Sequence, residues 1–235
     1  MAMSDIEPGP ARPLVLLLAV DNTLLNNDTV TDDLRRHLVD NFGSVRQDRY
    51  WVIFEQLRRE LGYADYLGAL QRYRVEYPRD PHVIRISLFL LQYSFEDRLY
   101  PRALDVVARL RQQGPVVILT DGDAVFQPHK VYRSGLWAAV RGEVLIYIHK
   151  EQMLDDVERR YPADHYVMVD DKLRILTAIK RVWNDRVTTV FVRQGHYALD
   201  PDVSETYPAA DITVDHIADL ADRTVWTPSP PAITS

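Results

Sequence analysis

Four polar points stand where apolar, strand-like runs end. Leu17-Leu18-Ala19-Val20 runs into Asp21, Asn22 and Thr23, and Val117-Ile118-Leu119 opens onto Thr120, Asp121 and Gly122. Lys150 follows the run Val144–Tyr147, and Val167-Met168-Val169 ends in the adjacent carboxylates Asp170 and Asp171. A carboxyl can pass a proton, a hydroxyl can hold an oxyanion, an ammonium can offset its charge, and paired carboxylates suit a hard cation. Taken singly, each point has a plainer reading. Asp21 could cap a turn, Thr120 could be an ordinary strand end, Lys150 could be solvated beside Glu151, and Asp170-Asp171 could sit at the positive end of the following helix. Their warrant is collective: in a doubly wound parallel sheet all four points would meet at one edge.

The elements that must position them follow from apolar patterning. Five short runs have the length and bounding signals of buried parallel strands: Leu14–Val20, Val116–Thr120, Val144–Tyr147, Tyr166–Val169 and Val187–Val192. Helical patterns separate the last four. Between Pro101 and Gly114 an inward face of Leu104, Val107, Ala108 and Leu110 is expected, in Glu151–Tyr161 one of Met153, Leu154 and Val157, and in Asp171–Val182 one of Leu173, Leu176 and Ile179. Alternation of strand and helix predicts a doubly wound α/β sheet. From about Asn27 to Phe95 the rhythm changes to an all-helical segment, with Leu34, Leu38 and Phe42 helically spaced, then Phe54, Leu57, Arg58 and Leu61, then a denser apolar helix over Val83–Phe95. An insertion after the first strand sits at the carboxyl edge of the sheet, where it could act as a lid.

The predicted organisation is a flexible leader over 1–13, an α/β core over 14–26 and 96–225, a helical cap over 27–95 and a flexible tail over 226–235. At 235 residues and 46% hydrophobic the chain can bury an ordinary core. A net charge of −6 argues against a nucleic-acid partner, which would need a basic face. The absence of cysteine excludes disulfides, thiolate metal sites and cysteine catalysis, and fits a reducing cytoplasm. The run Leu14–Val20 is too short to span a bilayer, so a soluble cytoplasmic protein with no membrane partner is expected. The seven histidines lack metal-ligand spacing, and no role is assigned to them. Oligomeric state stays open.

In this order and spacing, the four points resemble the four motifs of the haloacid dehalogenase-like superfamily. Its pattern is a strand followed by Asp-x-Asp-x-Thr, a strand ending in Ser or Thr, a Lys, and an acidic pair. Here these become Ala19-Val20-Asp21-Asn22-Thr23, Thr120, Lys150 and Asp170-Asp171. The resemblance implies a Rossmann-like core with an inserted helical cap and a Mg2+-dependent phosphomonoester hydrolase acting through an aspartyl-phosphate on a small phosphorylated metabolite. A carboxylate at position 19 would attack phosphorus, and Asp21 would protonate the leaving oxygen and then take a proton from the hydrolytic water. Thr120 with the backbone of Asp121 and Gly122 would hold the phosphoryl oxygens, and Lys150 would offset their charge. Magnesium would take oxygens from position 19, from the Asp21 backbone carbonyl, and from Asp170 and Asp171. Lys130 is a rival for the lysine role; Lys150 is preferred because it follows a strand and precedes a helix. The cap's Tyr63, Tyr66, Arg72, Tyr73 and Arg74 are read as a packed and solvated helix surface, outside the site.

Position 19 departs from this pattern. Alanine offers a methyl group where the family's mechanism uses an oxygen, so it can neither attack phosphorus nor bind a metal. Two readings follow. An active enzyme whose nucleophile was replaced is favoured, because every other expected site residue is present; a natural pseudoenzyme that binds a phosphorylated ligand or a partner is the alternative. Haloacid dehalogenation, also hosted by the superfamily, is disfavoured by Asp21, since a halide leaving group needs no acid. Either favoured reading implies phosphate-ester binding without turnover and weakened magnesium affinity.

Overall fold

The protein is described by a computed structural model over residues 12–223 and residue 225. Strand β1 (Arg12–Leu18) leads into four helices, α1 (Asn27–Phe42), α2 (Ser44–Leu61), α3 (Tyr66–Glu76) and α4 (Val83–Gln92). The chain then alternates: α5 (Ala103–Leu110), β2 (Val116–Asp121), α6 (Phe126–Arg133), α7 (Leu136–Ala139), β3 (Val144–Tyr147), α8 (Leu154–Arg160), β4 (Ala163–Asp170), α9 (Leu173–Trp183) and β5 (Val187–Val192). Two single-turn helices, α10 (Gly195–Ala198) and α11 (Val203–Thr206), precede the last strand, β6 (Ile212–Val214).

Among the described residues six strands form one sheet in the order β3-β2-β1-β4-β5-β6, and every neighbouring pair is parallel. Parallel strands need helical crossovers, which cover both faces, so the strands can be apolar on both sides. β1 shows the consequence: Leu14, Leu16 and Leu18 enter one core while Val15 and Leu17, with Ala19 beyond them, enter the other. The first of these cores runs on into the helical segment through Leu34, Leu38, Phe54, Leu57 and Leu90. The fold is therefore a doubly wound parallel-sheet core with an inserted all-helical cap. The chain leaves and re-enters the core side by side: Leu25 bridges Leu99 antiparallel, Asn26 N donates to Arg98 O at 2.8 Å, and Tyr100 N donates to Leu24 O at 2.9 Å.

Several expectations need correction. β1 starts at Arg12 and ends at Leu18, two residues earlier at both ends than expected, because Arg12 pairs with Ala163 on β4; Arg12 and Pro13 thus belong to the sheet and not to a leader. The rest of the expected leader and the expected tail lie outside the described residues. On α5 the buried positions are Ala103, Val106, Val107 and Leu110, so Leu104 and Ala108 face outward: the i, i+3, i+4, i+7 stripe starts one residue earlier than read. Met153 precedes α8 and is 37% exposed, because the chain first makes a 3-10 turn at Lys150–Gln152. α4 buries Ile86 and Leu90 but leaves Ile84, Leu88 and Leu91 exposed, and Phe95 lies in a separate 3-10 turn.

β6 pairs with β5 along its length, and one side chain ties its start to that strand. Asp211 accepts from Thr189 N at 2.7 Å, from Thr189 Oγ1 at 2.8 Å and from Lys180 Nζ at 2.9 Å. Burial pushes its carboxyl up, but the bonds from Lys180 and Thr189 outweigh that and hold it below the ordinary carboxylate range. Asp211→Ala should lower stability to urea by about 1–2 kcal/mol at neutral pH, the scale of bonds to a charged group on a half-open site. A depressed carboxyl contributes above its unfolded value and loses that contribution as pH falls through its folded value, so the gap between parent and variant should close in acid.

Candidate active site

The strand order reverses direction between β1 and β4, so the loops leaving these two strands splay apart and open a crevice at the carboxyl edge. Ala19 lies one residue beyond β1, buried, with its N–H donating to Val169 O at 3.0 Å. Leu18 pairs with Val169, which sets Ala19 level with Asp170 on the neighbouring strand. The chain then turns sharply: Asp21 bridges Leu25, and Asn22 adopts a left-handed φ of 54°. Asn22 makes that conformation worthwhile, because its Oδ1 accepts from Asn27 N at 3.0 Å and Asp28 N at 3.2 Å and so caps α1. The turn that presents Asp21 thereby also seats the first cap helix.

Asp21 is held by α6. Lys130 Nζ donates to Asp21 Oδ1 at 2.7 Å and to Asn27 Oδ1 at 2.9 Å, and Gln127 Nε2 reaches Asp21 Oδ2 at 3.4 Å. The same Gln127 amide donates to Thr120 Oγ1 at 3.0 Å. Asp21 and Thr120, read from separate motifs, are thus joined through one glutamine. Gly122 N, by contrast, donates to Tyr147 O at 2.9 Å, so this amide is committed to the backbone of β3 and not offered to a phosphoryl oxygen. The Asp121 carboxylate accepts from Lys150 N at 2.7 Å and holds the start of the 3-10 turn; burial pushes its carboxyl up, against the opposing pull of Lys150.

Lys150 belongs to a second group. Its buried ammonium pairs with Asp170 Oδ2 at 2.6 Å and donates to Leu119 O at 3.3 Å. Burial pushes the ammonium down, but Asp170 and Asp121 outweigh this and hold it above the ordinary lysine range. Asp171 is buried beside Asp170, with Oδ1 accepting from Thr23 Oγ1 at 3.3 Å and Oδ2 left without a hydrogen-bond partner. Burial first, and then the neighbouring Asp170, push the Asp171 carboxyl well above the carboxylate range. The two candidate lysines therefore divide the work: Lys130 serves Asp21 and Lys150 serves Asp170.

A cavity of about 670 Å³ opens between this edge and the cap. Asp21, Asp121, Gln127, Lys130, Asp171 and Lys172 line it from the core, and Arg35, Trp51, Phe54, Arg58, Tyr63 and Tyr66 from the cap. Ala19, Thr120, Lys150 and Asp170 are buried and do not line it. Tyr63 and Tyr66 thus stand at the cavity, while Arg72 pairs with Glu60 and Tyr73 bonds Asp80, away from it. On the rim His196 Nδ1 meets Asp28 Oδ1 at 2.6 Å.

Gln127, Asn27 and Lys172 were not singled out from the sequence. One signal was present for α6: Phe126, Gln127, Lys130 and Val131 form a single buried helical face, so two of four inward residues are polar. Lys172 carried no such signal beyond its place after the acidic pair.

Fold and site together define a capped, doubly wound hydrolase scaffold with its polar groups at the switch point. No family model and no curated protein matches the chain. Among solved structures it is similar to one from Burkholderia xenovorans LB400 described as a haloacid dehalogenase-like hydrolase, with 59% identity over 91% of this chain and 99% of that one, and a TM-score of 0.87. An L-2-haloacid dehalogenase from Xanthobacter autotrophicus, with chloropropionic acid covalently bound, matches in fold at 16% identity and TM-score 0.57, over 88% of this chain and 96% of its own. The hydrolase YfnB from Bacillus subtilis, bound to magnesium, does so at 16% and 0.58, over 89% and 97%. The chain belongs to the haloacid dehalogenase-like hydrolases. Among the described residues no helix is long and apolar enough to cross a membrane.

Proposed function

We propose that the chain carries a phosphomonoester hydrolase site for a small phosphorylated metabolite and that, with Ala19 at the nucleophile position, it binds such a ligand without turning it over. The observation that carries this reading is the Lys130-Asp21-Gln127-Thr120 network. It fixes the Asp21 carboxyl at the wall of a capped cavity and ties it, through Gln127, to the Thr120 hydroxyl buried just behind that wall. Proton delivery to an alkoxide leaving group calls for such a carboxyl, whereas halide release does not. The methyl of Ala19 leaves no oxygen to attack phosphorus.

Asp170, Asp171 and the Asp21 carbonyl are the groups that would hold magnesium, which when bound neutralises charge on a phosphoryl group. The buried, unpartnered Asp171 Oδ2 fits that assignment, and the magnesium seen in YfnB supports it. With a methyl at position 19 one oxygen ligand is missing, so magnesium affinity should be weak. Calorimetric titration with inorganic phosphate and a panel of phosphomonoesters, with and without magnesium, should detect binding with no release of phosphate. A panel in which nothing binds under either condition rejects the reading.

A further inference from the structure

The chain has four lysines, and the ammonium groups of three are already engaged. Lys130 is bonded to Asp21 and Asn27, Lys150 to Asp170 and Leu119 O, and Lys180 to Asp211 and Val187 O. Lys172 differs. It lines the cavity, yet its ammonium makes no hydrogen bond or ion pair with any described residue, and it stands over the face of the Tyr197 ring, 4.7 Å from the ring centroid. Its backbone N–H is anchored to Asp170 Oδ1 at 2.9 Å, which fixes where the side chain starts.

A partly buried ammonium needs acceptors for its three donors, and groups left short of partners inside a cavity mark where a ligand's acceptors go. The ring of Tyr197 steadies the cation through its negative face without using any N–H donor. Arg58 and Arg174, also on the cavity wall, are by contrast paired with Glu55 and Glu151.

We propose that Lys172 grips the phosphoryl oxygens of the bound ligand directly, as an anion-binding residue additional to the four motifs. This rests on the phosphate reading above. Lys150 remains a positioning residue that holds Asp170.

The test has two readouts. In the unaltered protein labelled with 13C-lysine, four Cε signals are expected, and titration with inorganic phosphate should move that of Lys172 most. In parallel, Lys172→Met should weaken phosphate binding at least tenfold by calorimetry, with Lys172→Arg within about threefold of the parent, the scale of one charge-assisted contact. If the parent binds phosphate while the Lys172 signal stays still, or if Lys172→Met changes only the melting temperature and keeps the parent's affinity, Lys172 is a neutraliser of the acidic pair and the proposal fails while the phosphate reading stands. If the parent binds neither inorganic phosphate nor any phosphomonoester, with or without magnesium, both fail together.

Discussion

Ala19→Asp, assayed with magnesium against a broad panel of phosphomonoesters, is expected to raise turnover from background by at least about 10³-fold. Loss of a nucleophile from an otherwise intact site costs on the order of 10³ to 10⁶ in kcat, and the remaining groups here are assembled. Position 19 is level with Asp170 on β4, one residue past the end of β1, and Asp21 is already held by Lys130 and Gln127. The restored carboxylate would join two others, Asp170 and Asp171, that are buried side by side. Like charges at close range oppose one another, so the variant should melt several degrees below the parent in chelator and regain that loss when magnesium is added. Release of halide from 2-haloacids, with no phosphatase activity, would move the chain to the dehalogenases. No turnover of either kind would leave a binding module, whose natural gene would encode alanine at this codon.

The parts of the fold that were legible in the sequence are those with redundant signals. β3 and β5 match the expected bounds, since both are short runs rich in β-branched and aromatic residues that begin just after a charged residue, Glu143 and Arg186. β4 extends three residues earlier than read, because Ala163-Asp164-His165 is paired through the sheet although its composition is mixed. β6 is not legible: three residues carry too little periodicity, and they are fixed by pairing with β5 and by Asp211 reaching back to Thr189. On α5 an apolar Leu at each of two candidate registers left the face ambiguous, and packing against the sheet chose the one containing Ala103 and Val106.

The placement of the candidate site was legible where chemistry and chain order coincide. Asp21, Thr120, Lys150, Asp170 and Asp171 all stand at the carboxyl edge, because parallel strands must deliver their ends to one side. What the sequence did not display is which lysine meets which carboxylate. Lys130 is separated from Asp21 by 109 positions, and its pairing depends on how α6 docks after β2 ends. The Gly122 amide, expected to face phosphate, instead extends the pairing of β2 with β3.

Lys150→Met is expected to be the most damaging single change to stability, by about 3–5 kcal/mol. Lys150 is buried to 3% and Asp170 to 1% exposure, and their ion pair at 2.6 Å has Asp171 beside it. A buried pair gains little over an apolar pair of the same shape, because both ions lose their hydration; removing one partner is different, since the other charge stays buried without compensation. Methionine keeps the length and most of the packing of lysine, so the loss reads the charge and not a cavity. For a chain of this size the melting temperature should fall by roughly 10 °C. Pairing Lys150→Met with Asp170→Asn should recover at least half of the loss, since no lone charge is then left at that position. A single variant within about 1 kcal/mol of the parent in urea denaturation would mean that Lys172 alone balances the acidic pair, which would also bind Lys172 to a structural duty and count against its reach toward a ligand.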